Sequence, residues 1–149
     1  MREHIGLYRG KRKDNGEWVQ GAYCKHDTVK ICLTTDDPKP KHFIIQDGFC
    51  DWGFEPPLNA YEVDPDTVGE CTGLTDKNGK LIFEGDIVRF RTRMSVFKPL
   101  YVRWHAETAR FLVSTRDGIR FYPMDKTWEY EIIGNIHDAP ELLGGGDNG

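Results

Sequence analysis

Residues 73–86, GLTDKNGKLIFEGD, gather three glycines, three acids and an asparagine into fourteen positions. These are residue types that hold a cation or cradle a phosphate. Calcium is the chemistry that Asp76-x-Asn78-Gly79 suggests. An EF-hand loop needs glycine at its sixth position and a bidentate acid at its twelfth. Counted from Asp76, glycine falls at the fourth position and Ile87 at the twelfth. Asn-Gly accepts positive φ cheaply, so residues 72–75 and 80–83 around Lys77-Asn78-Gly79 predict a hairpin with a two-residue turn. Glu84 and Asp86 then fall at a corner, where a carboxylate accepts neighbouring backbone N–H groups. The turn is the better reading, and no metal site is predicted.

A nucleophile with its base is the next chemistry to test. The histidines are His4, His26, His42, His105 and His137, and His105-Ala-Glu107 sets a histidine two residues from an acid. Such a pair alone is a polar loop. No Gly-x-Ser-x-Gly, Walker loop or His-Glu-x-x-His is present. The sequence therefore predicts no enzymatic activity, no catalytic residue and no cofactor. Cys24, Cys32, Cys50 and Cys71 include no Cys-x-x-Cys pair, which argues against a zinc ribbon or a redox motif. They are expected to be reduced, buried structural thiols.

Residues 87–104, IVRFRTRMSVFKPLYVRW, carry Arg89, Arg91, Arg93, Lys98 and Arg103 and no acid, with Phe90, Phe97, Tyr101 and Trp104 interleaved. Strand alternation places Val88, Phe90 and Thr92 on one side and the first three arginines on the other. The five cations are the candidate surface for an anionic partner. Arginine beside exposed aromatics suits single-stranded nucleic acid; an acidic protein fits equally well. The opposing reading is a solvated strand face with its aromatics in the core.

The elements that must position these residues are short strands. The 149-residue chain is 38% hydrophobic and 30% charged, with 16 Gly and 8 Pro, a globular composition rich in turns. Its net charge of −4 does not draw the whole protein to nucleic acid or an anionic membrane, so such a contact needs a local patch. The N-terminus lacks an apolar targeting core and no apolar run suffices for a membrane span, so a cytoplasmic protein is expected. Strands are predicted at residues 4–9 and 17–24 around Asp14-Asn15-Gly16, and at 29–34 and 42–46. Further strands are predicted at 61–63, 87–93, 100–104, 111–115, 119–122 and 129–136. Asp138 is a candidate N-cap for one helical turn. Short strands with Gly-made corners predict a small barrel or sandwich.

Three stretches also carry a family resemblance: RGKRKDNGEWVQG, YEVDPDTVGECTGLTDKNGKLIFEGDIVRF and EIIGNIHDAPELL, in that order. Together they resemble the YopX family of phage and prophage proteins. The resemblance implies an all-β protein of short-stranded hairpins forming a small barrel. Its C-terminal part, 66–143, is expected to be an SH3-like barrel. An irregular β-rich part, 1–65, packs on it, and 144–149 is a disordered tail. Residues 29–59 carry no pattern that can be placed. The family implies no activity and no catalytic residue. The expected function is that of a phage- or prophage-encoded accessory protein in the bacterial host cytoplasm, a non-enzymatic module for protein interaction or self-assembly. The alternative is a nucleic-acid-associated protein using residues 89–103. Homo-oligomerisation stays open, and no membrane partner is expected.

Overall fold

The computed structural model describes residues 4–27, 39–48, 53 and 55–144. All its regular structure is β apart from a 3-10 turn at Pro140–Leu143, as the alternation predicts. The expected strand at 29–34, Cys32, Cys50 and the tail 145–149 lie outside the described residues. Two compact units make up the chain, Gly6–Glu70 and Met1–Ile5 with Cys71–Gly149.

The first unit is built on β1 (Leu7–Arg12), β2 (Trp18–His26), β3 (Lys41–Asp47) and the first part of β4 (Leu58–Thr75). Each strand pairs antiparallel with the next, and β4 returns to pair with β1, closing a four-stranded ring. Strand number sets the width of a closed sheet, so four strands leave little room inside. A Cβ on Gly10 would lie 3.0 Å from Val63 Cβ, and one on Gly21 only 2.1 Å from the Ile45 carbonyl oxygen. Ile44 and Val63 are fully buried. The β1–β4 register breaks between Arg9 and Lys11, where β4 bulges. There the Lys11 N–H donates to Thr67 Oγ1 at 2.9 Å, and the Thr67 hydroxyl donates onward to the Asp64 carbonyl at 2.6 Å. A side chain thus supplies the acceptor the bulge removes from the ladder.

In the second unit the end of β4 pairs with β5 (Leu81–Phe83). An antiparallel sheet follows in the order β10-β6-β7-β8-β9, from β6 (Asp86–Arg91), β7 (Leu100–His105), β8 (Arg110–Ser114), β9 (Phe121–Pro123) and β10 (Glu129–Asn135). One face of this sheet carries the core, with Val88, Phe90, Leu100, Val102, Val113 and Tyr130 buried around Ile82. The Phe90 ring stacks on Phe97 (centroids 4.3 Å apart) and on Trp128 (5.2 Å). The Glu84-Gly85-Asp86 corner closes as expected. Asp86 Oδ2 accepts the Phe83 N–H at 2.8 Å, and Gly85 N–H donates to the Val102 carbonyl at 2.8 Å.

Three details depart from the sequence expectation. Strand β6 stops at Arg91 rather than Arg93, because Thr92 Oγ1 accepts the N–H groups of Met94 and Ser95 and starts a turn. The Asn78-Gly79 hairpin has three loop residues, not two. Asp76 N–H donates to the Lys80 carbonyl at 2.8 Å, Gly79 N–H donates back to Asp76 at 3.0 Å, and only Gly79 has positive φ, +81°. That is a type I turn followed by a left-handed glycine, which suits Asn78 with its φ negative. A free thiol is exposed at Cys24 and another buried at Cys71, so the expectation of buried cysteines fails at Cys24.

The two kinds of glycine predict different responses. Gly79→Ala meets nothing within 4 Å and pays only for its backbone, about 1–2 kcal/mol. Gly21→Ala drives a methyl into a carbonyl, and the first unit should lose its folded signals in a two-dimensional amide spectrum. A native spectrum for Gly21→Ala would show that the ring opens without cost.

Candidate anionic-partner surface

The outer face of the β6–β10 sheet is defined by register. Across an antiparallel sheet, directly paired residues share a face. Ile87 pairs with Tyr101, Tyr101 with Ser114 and Ser114 with Phe121; Arg103 pairs with Leu112, and His105 with Arg110. Arg89 and Arg91 follow Ile87 at two-residue steps. Arg89, Arg91, Tyr101, Arg103, Arg110 and Phe121 therefore lie on one face, opposite the cluster around Phe90. Arg89, Arg91 and Arg110 are exposed, while Ile87, Leu112 and Ser114 on the same face are buried.

The five predicted cations separate into two groups. Arg89, Arg91 and Arg103 share the outer face. Arg93 sits at the tip of the turn after β6, beside Met94 (93% exposed), and Lys98 lies exposed between the Arg91–Val96 bridge and β7. Arg103 is half-buried, and a Cβ on Gly118 would lie 3.6 Å from its guanidinium. Phe90 and Phe97 belong to the core, so the interleaved aromatics divide as well. Trp104 is 44% exposed and packs edge-on against Phe111 at 5.0 Å. Arg110 and Phe121 are not legible as site residues, because cross-strand register alone sets Arg110 opposite His105 on β7 and Phe121 opposite Ser114 on β8. Phe121 is 51% exposed, and His105 stacks on it at 6.0 Å, 15° from parallel.

Acids border this face on one side. Glu129 pairs with Arg91 and Glu131 with Arg89. Glu131 is already engaged by Lys77 Nζ at 3.3 Å. Neither Arg89 nor Arg91 forms an ion pair with another described residue.

Several of the remaining carboxylates hold turns. Asp76 is buried; its Oδ1 accepts the N–H groups of Asn78 and Lys80, each at 2.9 Å, and its Oδ2 a longer bond from Ile132 N–H at 3.4 Å. Burial pushes this carboxyl upward, but the backbone donors of Lys80, Asn78 and Ile132 outweigh it and hold the group below the usual carboxylate range. Asp117 is held low chiefly by the Thr115 hydroxyl, and Asp125 by the Thr127 N–H. The Tyr130 hydroxyl accepts the Asp125 N–H at 2.9 Å, and burial pushes its pKa up to about 12. His105 Nδ1 lies 2.8 Å from Thr108 Oγ1 in the β7–β8 turn, with Glu107 3.9 Å from Nε2. Among the described residues no group of three or more His, Cys, Asp or Glu could hold a metal ion. No helix among them is long and apolar enough to cross a membrane.

Asp76→Ala strands three backbone donors, two of them well bonded, and should cost roughly 1–3 kcal/mol per buried donor left without a partner. Because the folded pKa is lowered, the carboxylate stabilises fully above the unfolded value of about 3.9 and ceases to do so as pH falls through the folded value. Urea midpoints of wild type and Asp76→Ala should differ most at neutral pH and converge in acid. A gap independent of pH would remove the carboxylate from the account.

No curated protein matches the chain. A family model described as YopX protein matches residues 7–144, and the chain belongs to the YopX family.

Proposed function

We propose that this YopX-family chain is a phage-type accessory protein that acts by binding rather than by catalysis, in the cytoplasm of a bacterial host, and that its partner is anionic. The observation that carries this reading is the outer face of β6–β8, where Arg89, Arg91 and Arg110 are exposed while Asp76, Asp117 and Asp125 are committed to turns. Family membership is consistent with a phage-type role and specifies no reaction.

Self-assembly or partner capture by strand addition has less support. The first unit closes its ring. In the second, β9 is three residues long and ends in Pro123, which has no N–H to offer. The outer edge of β10 is occupied in part, since Lys77 N–H donates to the Tyr130 carbonyl at 2.8 Å and Ile132 N–H reaches Asp76. A face is a better-supported contact than an edge. An SH3-type barrel is our proposal for the second unit by analogy alone, supported by the short hairpin and Glu-Gly-Asp corner that lead into β6.

Tagged wild type and an Arg89→Gln/Arg91→Gln variant, purified from the bacterial host with and without nuclease, test the function. The variant should fold, at a cost of about 0.5 kcal/mol per site, and should lose the partner that wild type retains. Identical partners on both proteins would overturn the anionic surface. Substrate turnover by the purified chain would overturn the non-enzymatic reading.

A further inference from the structure

The outer face combines two features that an anionic protein partner does not need together. Its exposed cations are all arginine, whose planar guanidinium both grips a phosphate with paired donors and stacks on a ring. Beside them Phe121 is half exposed, with His105 stacked on it and nearly parallel. Tyr101, half-buried, shares a cross-strand row with Ile87, Ser114 and Phe121, and Arg89 follows Ile87 two residues along β6. Resting on the anionic-partner reading above, we infer that this face takes single-stranded nucleic acid. The guanidinium groups of Arg89, Arg91 and Arg110 follow the phosphates, and one or more bases stack on Phe121 and Tyr101.

Geometry favours a single strand over a duplex. Arg89 and Arg91 stand about 7 Å apart along β6, and neighbouring strands add steps of about 4.8 Å across the sheet. Arg110, opposite His105, stands roughly 20 Å further along the strand direction, so the cations bracket a face whose middle, at Ile87, Leu112 and Ser114, is buried. An aromatic ring is useful only to a base whose face is free, and in a duplex those faces are stacked. Glu129 and Glu131 on β10 repel phosphate and confine the strand to the β6–β9 side. The chain as a whole carries net charge −4, so attraction is local and should weaken steeply with salt.

The test is fluorescence anisotropy with an oligothymidylate of about 20 nucleotides, longer than the ~4–16 nucleotides one small β domain covers. Binding is followed from about 20 to 300 mM salt. A duplex of the same length and poly-glutamate serve as competitors. Wild type should bind the single strand and lose affinity with a log–log salt slope of about −0.7 for each phosphate held. Arg89→Gln/Arg91→Gln should reduce that slope in magnitude by about 1.4. Phe121→Ala should weaken binding about 10-fold with the slope unchanged, since stacking releases no counterions. Circular dichroism checks that each variant keeps the β signal of wild type. Equal competition by duplex or poly-glutamate, or full affinity in Phe121→Ala, overturns the inference while leaving an anionic partner in place. Failure of wild type to bind any of the three polyanions at low salt overturns both readings.

Discussion

The candidate surface depends on the burial of Phe90. Its ring is 1% exposed, stacked between Phe97 and Trp128 and met edge-on by Tyr122 at 5.9 Å. Side chains alternate along a strand, so committing Phe90 and Val88 to the core forces Arg89 and Arg91 outward. A one-residue slip of β6 would bury two guanidinium groups and expose the aromatic stack. The same ring sets register on both sides of β6. Phe90 pairs with Tyr130 on β10, and the Phe97 N–H donates to the Phe90 carbonyl at 3.0 Å across the turn from 92 to 95. The arginine face is therefore a consequence of core packing, and its geometry is as rigid as that core.

Each unit handles its unpaired backbone differently. The first leaves none of its four strands without two neighbours, at the expense of interior volume. That is why Gly21 sits against a carbonyl and why Thr67 must replace a missing ladder acceptor. The second keeps an open sheet. Part of the outer edge of β10 is taken up by the Asp76 hairpin through one carboxylate and one N–H, while β9 is short and ends in proline. The stretch that looked most like a metal loop thus serves the fold, since Asp76 fixes its own turn and reaches Ile132, 56 residues away.

Local chemistry in the sequence reports the turns well and their partners poorly. Asn78-Gly79 and Glu84-Gly85-Asp86 form corners where glycine or a carboxylate is required, and alternation identifies the buried side of β6. The end of β6 was missed because Thr92 can serve a strand or, through its hydroxyl, a turn; the turn removes Arg93 from the arginine row. Ring closure was not legible either. It joins Arg12 to Val63 and Tyr8 to Glu70, pairings with no local signal. Nor does anything in residues 110–121 mark Arg110 and Phe121 as residues of the arginine face, since only the β7–β8 and β8–β9 registers place them there.

The charge on the outer face follows from the same pairing. Glu129 and Glu131 stand opposite Arg91 and Arg89, an arrangement that would ordinarily make the arginines part of a cross-strand ion-pair ladder. Lys77 changes the balance. The hairpin that brings its N–H to Tyr130 also brings Lys77 Nζ to Glu131, so this acid has a cation on the side away from β6. Exposed ion pairs are weak, and Glu131 can be shared at little cost. Arg89 thus faces a carboxylate already partly neutralised. The Asp76 turn, on the outer edge of β10, helps keep positive charge available on β6.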